Sequence, residues 1–290
     1  MRKSIIFRTF SLMSFMLSGF QTMAVATEKL FIPSHPQIHA PLFVALHGCM
    51  GKAEDSEGRT RMSEFGEKHG FYVFYPEPTS KEDSKGCFDF YSKEAQSPGG
   101  GDAIILVNKI QELLKTHDID ENKVFVLGMS GGASLVSVLT SCYPTVFRGA
   151  AIHSGIGYGL ASTWQESLLI TQTGPLPWHK RNTTCSPSNY KGKMFLIQGS
   201  HDQVISPLHF SLLKEDYFSN TKSTSEEISP TFGHYGYIHQ TFHQNNQIKG
   251  HGILVLGMNH EWSGSKLINP LGPRGPDASS LIVDYFLNSP

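Results

Sequence analysis

Ser130 stands in Gly128-Met129-Ser130-Gly131-Gly132, a spacing that suits a serine held to react. On a sharp strand-to-helix turn, side chains two residues before or after the serine would collide, and glycines at 128 and 132 relieve that crowding. The same turn aims the backbone N–H of Gly131 and the start of the next helix at the point where negative charge develops on an attacked carbonyl. A serine hydroxyl needs a base, and the base needs an orienting acid, in the chain order serine, acid, histidine for this kind of turn. Two later segments supply them: "FLIQGSHDQVISP" carries Asp202 and "LVLGMNHEWSG" carries His260. His201 and Glu261 are the neighbours most easily mistaken for the acid and base. A second oxyanion donor is expected from the backbone of Cys49 or Met50 in "ALHGCMG". The chemistry so assembled is acyl transfer through a serine nucleophile, and it needs neither metal nor organic cofactor.

The elements that must position these groups are legible as alternating short apolar runs and longer helical patterns. Runs at 41–48, 71–76, 123–128, 148–155, 193–199 and 251–257 read as buried strands, since they are short, rich in β-branched or aromatic residues, and mostly closed by glycine or proline. Helices are expected over 61–69, 102–116, 132–141, 208–218 and 277–287, with Asp102 and Asp277 as N-caps. This alternation implies one doubly wound, mostly parallel sheet covered by helices on both faces. Two segments read as long loops. Residues 155–192 carry Tyr158, Trp164 and Trp178, and residues 219–250 are polar and rich in histidine. Loops at the carboxyl ends of such strands are where substrates bind, so the first segment is the expected lid or pocket wall. Tyr158, Trp164, Trp178 and Trp262 are the candidate substrate-binding aromatics; the loop's three are read equally as core residues.

Residues 1–26 combine a basic start (Arg2, Lys3, Arg8), a short apolar stretch and the small residues Ala24-Val25-Ala26, the pattern of a cleaved signal peptide. A single domain over 27–290, secreted or periplasmic and without a stable membrane anchor, is the expectation. Removal of residues 1–26 leaves 21 basic residues against 25 acidic ones, which disfavours nucleic acid as a partner. Four cysteines in an exported chain point to two disulfides. Three connectivities are possible, and Cys49–Cys87 with Cys142–Cys185 is preferred. No CxxC pair suggests zinc. "SPGGGD" at 97–102 lacks the Gly-Lys-Ser/Thr of a phosphate loop, and His234, His239 and His243 read as a solvated stretch rather than a metal site. Asn182 opens a glycosylation sequon by spacing alone.

Read together, "LHGCM", "HGFYVFYPEP", "CFDFY", "GGGDA", "VFVLGMSGGAS", "YPTVFRGAAIHSG", "QGSHDQVISP", "GMNHEW" and "GPRGPDASSLIVDYFL" resemble the polyhydroxybutyrate depolymerase-like esterases, related to feruloyl and acetylxylan esterases, over roughly 41–287. The resemblance implies the α/β-hydrolase fold, Ser130 as nucleophile, Asp202 as acid, His260 as base, and a bond between Cys49 and Cys87. It implies an exported serine esterase for hydroxyalkanoate oligomers or related short-chain or aromatic esters; a serine peptidase or a non-catalytic binding protein on the same scaffold are the alternatives. Polymer degraders of the family carry an appended polymer-binding module that is not recognisable here, so soluble or oligomeric esters are the expected substrates. Gly131 replaces the family's frequent alanine, and Asn259 replaces its glycine before the histidine.

Overall fold

The computed structural model describes residues 27–79, 86–176, 178, 180–231, 234–265 and 274–288. The expected signal peptide, residues 1–26, lies outside them. Among the described residues nine strands form one sheet: β1 (Lys29–Phe31), β2 (Ala40–Leu46), β3 (Tyr72–Tyr75), β4 (Ile119–Met129), β5 (Gly149–His153), β6 (Lys193–Gly199), β7 (Lys222–Ile228), β8 (Tyr237–Gln244) and β9 (Gln247–Val255). Their order is β1-β3-β2-β4-β5-β6-β9-β8-β7. From β3 to β9 every pairing is parallel, and β1, β7 and β8 pair antiparallel at the two edges.

Alternation along the strands builds two cores, one on each face. Leu42, Val44 and Leu46 of β2 point into one, with α3 (Gly101–Thr116), α4 (Gly131–Cys142) and α6 (Leu208–Phe218) laid over it. Phe43 and Ala45 point into the other, beneath α1 (Ala53–Thr60), α2 (Met62–His69) and α7 (Ala278–Asn288). All seven residues of β2 are buried, as expected of a strand covered on both sides. This is the α/β-hydrolase architecture.

Three expectations need correction. Residues 219–250 are not one loop: they hold β7 and β8, an antiparallel extension of β9. Six of the seven β7 residues are exposed, so no buried face left an apolar stripe in the sequence. Residues 155–192 contain a further helix, α5 (Trp164–Thr173). Asp102 does not cap α3, since that position belongs to Gly100. Its buried carboxylate instead accepts the Thr79 N–H and hydroxyl and the Asp89 N–H, tying two loops to the helix. Asp277 does cap α7, accepting the Ser280 N–H at 3.1 Å. The disulfides are Cys49–Cys87 and Cys142–Cys185.

Candidate active site

Ser130 is the single residue between β4 and α4. Its φ of 57° and ψ of −122° lie where L side chains rarely go, so the surroundings must hold it there. Its N–H donates to His153 O at 3.0 Å, and its carbonyl accepts the Ser134 N–H (2.9 Å) and hydroxyl (3.0 Å). The flanking glycines are required by contact. A Cβ on Gly128 would lie 2.5 Å from the Gly132 carbonyl carbon, and one on Gly132 would lie 2.4 Å from His47 O.

Asp202 follows β6. Its buried carboxylate accepts the N–H groups of Val204 (2.9 Å) and Ile205 (2.8 Å) through one oxygen. The other oxygen accepts Gln198 Nε2 at 3.1 Å and His260 Nδ1 at 2.9 Å. Burial pushes this carboxyl upward, but the bonds from His260, Ile205 and Val204 outweigh it and hold it below the ordinary aspartate value. An imidazole that gives its Nδ1–H to the carboxylate carries its lone pair on Nε2. The loops carrying the two residues are laced together. Asn259 Oδ1 accepts both the Gln203 N–H (3.0 Å) and the His260 N–H (2.8 Å), His201 N–H donates to Met258 O, and Gly257 N–H donates to the Ser200 hydroxyl. His201 itself is exposed.

Ser130 and His260 line one cavity of about 300 Å³. The loop after β2 closes it on one side. A Cβ on Gly48 would lie 3.8 Å from Ser130 Oγ, and one on Gly131 would lie 2.5 Å from Cys49 Sγ and 3.4 Å from Cys49 N. The Cys49–Cys87 bridge therefore packs on the first residue of α4, which accounts for glycine there instead of alanine. Gly131 and Cys49 thus lie side by side as candidate oxyanion donors. The Met50 N–H is taken by Gly86 O at 2.7 Å, so of the two donors expected in this loop Cys49 is the one left for the site.

Of the four candidate aromatics, only Trp262 borders the cavity. It is buried, its indole N–H donates to Ser279 Oγ, and it stacks on His153 with ring centroids 4.8 Å apart. Tyr158 is a core residue whose hydroxyl donates to Gln96 O and accepts from Cys185 N–H. Trp164 packs against Tyr91 in the core, and Trp178 is 76% exposed. No described residue of 155–192 lines this cavity: Tyr158 and Trp164 anchor the segment to the core through Gln96 and Tyr91, and Trp178 faces outward.

Two groups that the motifs did not flag also belong here. His153 is fully buried, accepts the Ser263 N–H at Nε2 (3.0 Å), and contacts the Ser154 hydroxyl through Nδ1. Burial, aided by the nearby His260, pushes its pKa down to about 3, so it stays neutral. It ends β5, beside β4, a position the sequence shows only as "AIHSG". The second is α1, whose residues Asp55, Ser56, Arg59 and Thr60 form a cavity wall. A helix with so few apolar residues carries no stripe to reveal it.

The profile of the family described as "Esterase PHB depolymerase" matches residues 27–175. "Poly(3-hydroxyalkanoate) depolymerase C" of Paucimonas lemoignei is 30% identical over 223 residues, covering 74% of this chain and 53% of that protein. "Probable acetylxylan esterase A" of Aspergillus clavatus is 32% identical over 255 residues, covering 80% of this chain and 78% of that protein. The chain spans about half the length of several curated relatives it matches. Among solved structures, an acetyl xylan esterase from Aspergillus awamori superposes with a TM-score of 0.62 at 23% identity, over 81% of this chain and 88% of that one, a likeness of fold.

Proposed function

The chain belongs to the Esterase PHB depolymerase family, and on that premise we propose that it is a carboxylic ester hydrolase working through Ser130, Asp202 and His260. The observation that carries this reading is the 2.9 Å bond from His260 Nδ1 to the buried Asp202 carboxylate, in a cavity that Ser130 also lines. His260 Nε2 takes the Ser130 hydroxyl proton as Oγ attacks the ester carbonyl. The resulting oxyanion is held by the N–H groups of Gly131 and Cys49, each such donor being worth about 3 kcal/mol in the transition state. His260 passes its proton to the departing alcohol, leaving an acyl-Ser130. Water deprotonated by His260 then attacks the acyl carbon and frees the acid. Asp202 stabilises the imidazolium in both halves, and its depressed pKa keeps it ionised for that task.

The names borne by the relatives suggest the substrate range: oligomers of hydroxyalkanoates or related short-chain esters. Two disulfides and the basic-apolar-small pattern of residues 1–26 support export of the catalytic region 27–290. No helix among the described residues is long and apolar enough to cross a membrane.

The test is hydrolysis of 4-nitrophenyl esters from acetate to octanoate by wild type beside Ser130→Ala. Turnover on the shorter esters that falls by about 10⁵ or more in the variant is the expected outcome. A wild type inert on every ester, or a variant that keeps its rate, would overturn the reading.

A further inference from the structure

The wall that α1 contributes to the cavity is polar, and three of its four groups are already committed. Asp55, Ser56, Arg59 and Thr60 share one helix face by their spacing of four. The Asp55 carboxylate accepts the Lys52 N–H at 3.0 Å at the start of the helix. Ser56 Oγ donates to Ala45 O, and Thr60 Oγ1 donates to Ser56 O at 2.7 Å. Arg59 is different. It is half-buried, it lines the same cavity as Ser130 and His260, and among the described residues no hydrogen bond, ion pair or ring contact claims its guanidinium. A planar cation with five donors in a part-desolvated cavity is built to meet a carboxylate, which it can take in a bidentate grip. The adjoining arginine shows the ordinary structural use: Arg61 pairs with Asp277 and Glu64 and lies over Phe65.

We infer that Arg59 selects esters bearing a carboxylate beyond the scissile bond, such as the acid end of a short hydroxyalkanoate oligomer. This rests on the esterase reading above and adds to it a charge requirement. Asp55 and His47 also line the cavity, and a Glu77 carboxylate oxygen lies 3.3 Å from His47 Nε2. Neither carboxylate pairs with Arg59, so the cavity keeps a cation with room for a substrate anion. A neutral ester would leave that cation with water alone. An acid-bearing one would exchange the water for a charge-assisted pair, and the gain is made equally in ground and transition states, so it falls on KM.

The experiment compares two probes, the linear 3-hydroxybutyrate dimer as its free acid and as its terminal amide, with 4-nitrophenyl acetate as a neutral ester. Wild type is expected to favour the acid over the amide by about tenfold in kcat/KM, mostly through KM, with the ratio shrinking at high salt. Arg59→Gln should bring the ratio to about one, and Arg59→Lys should restore part of it. A helix-end role for Arg59 would lower stability and leave the ratio unmoved, so the ratio separates the two. A wild type without preference for the acid, or an Arg59→Gln variant that keeps it, overturns the inference while the neutral ester still reports the esterase. A wild type inert on all three substrates defeats the esterase reading itself.

Discussion

At the Ser130 end of the cavity the backbone does the holding, whereas at the His260 end side chains do. Ser130 sits at a positive φ because neighbouring main-chain groups and two glycine contacts leave it nowhere else to go. His260 and Asp202 sit in loops whose positions are written by the carboxylate's four bonds and by Asn259. The difference teaches which substitutions each end can survive. A side-chain network can lose one partner and keep its shape, while a close-packed turn has no slack to give.

Apart from loss of the nucleophile itself, the largest effect on the proposed mechanism belongs to the side-chain end. Asp202→Asn should lower kcat by about 10⁴ with the fold intact, because an amide cannot hold the imidazole in the required tautomer or stabilise its charge. Circular dichroism beside steady-state kinetics checks both halves; a large loss of structure would erase the contrast with the other end. Gly132→Ala should do the reverse. Its Cβ meets main-chain oxygens of His47 and Leu46, which cannot swing aside, so unfolding in urea should show a loss of at least about 2 kcal/mol. Retained stability there would mean the turn has slack after all.

The smallest effect sharpens the comparison between them, where His153 accepts a backbone bond from one side and stacks on Trp262 at the other. Its folded pKa of about 3 lies below the unfolded 6.5, so the unfolded chain binds a proton that the folded one refuses. Its contribution to stability is complete above pH 6.5 and is lost as pH falls through the window down to about 3, at about 1.4 kcal/mol per pH unit. Asp202, with its pKa lowered, acts in the same direction at the acid end, below 3.8. Urea titrations at pH 7 and pH 5 should therefore show a drop smaller by about 2 kcal/mol in His153→Asn than in wild type. Equal drops would assign the acid sensitivity elsewhere.

The parallel strands were legible because each is a continuous apolar run. Strands β1, β7 and β8 were not: the first has three residues, and the others alternate polar side chains at an edge where little is buried. Helix α1 escaped because the residues it buries are Ala53, Ser56 and Thr60, small or polar. Helix α5 escaped because Leu168 and Leu169 face outward, spoiling any amphipathic period. For the candidate site, turn chemistry and chain order point to Ser130, Asp202 and His260, and the fold bonds His260 to Asp202 and sets Ser130 and His260 on one cavity. The aromatics misled for a physical reason. Tyr158 and Trp164 fasten their segment to the core, Tyr158 with both hydroxyl bonds made to backbone, and Trp178 faces outward. Arg59 gave no signal, because a lone arginine looks alike on any polar helix until its neighbours are known.

The lacing of 199–205 to 256–260 has a consequence for timing. Asp202 and His260 lie 58 residues apart in the chain, on separate loops. With Asn259, His201 and Gly257 bonded across, the two loops form one hydrogen-bonded unit. On the proposed mechanism the imidazole is already oriented by its carboxylate before any substrate arrives, so no part of the encounter is spent in bringing the two together.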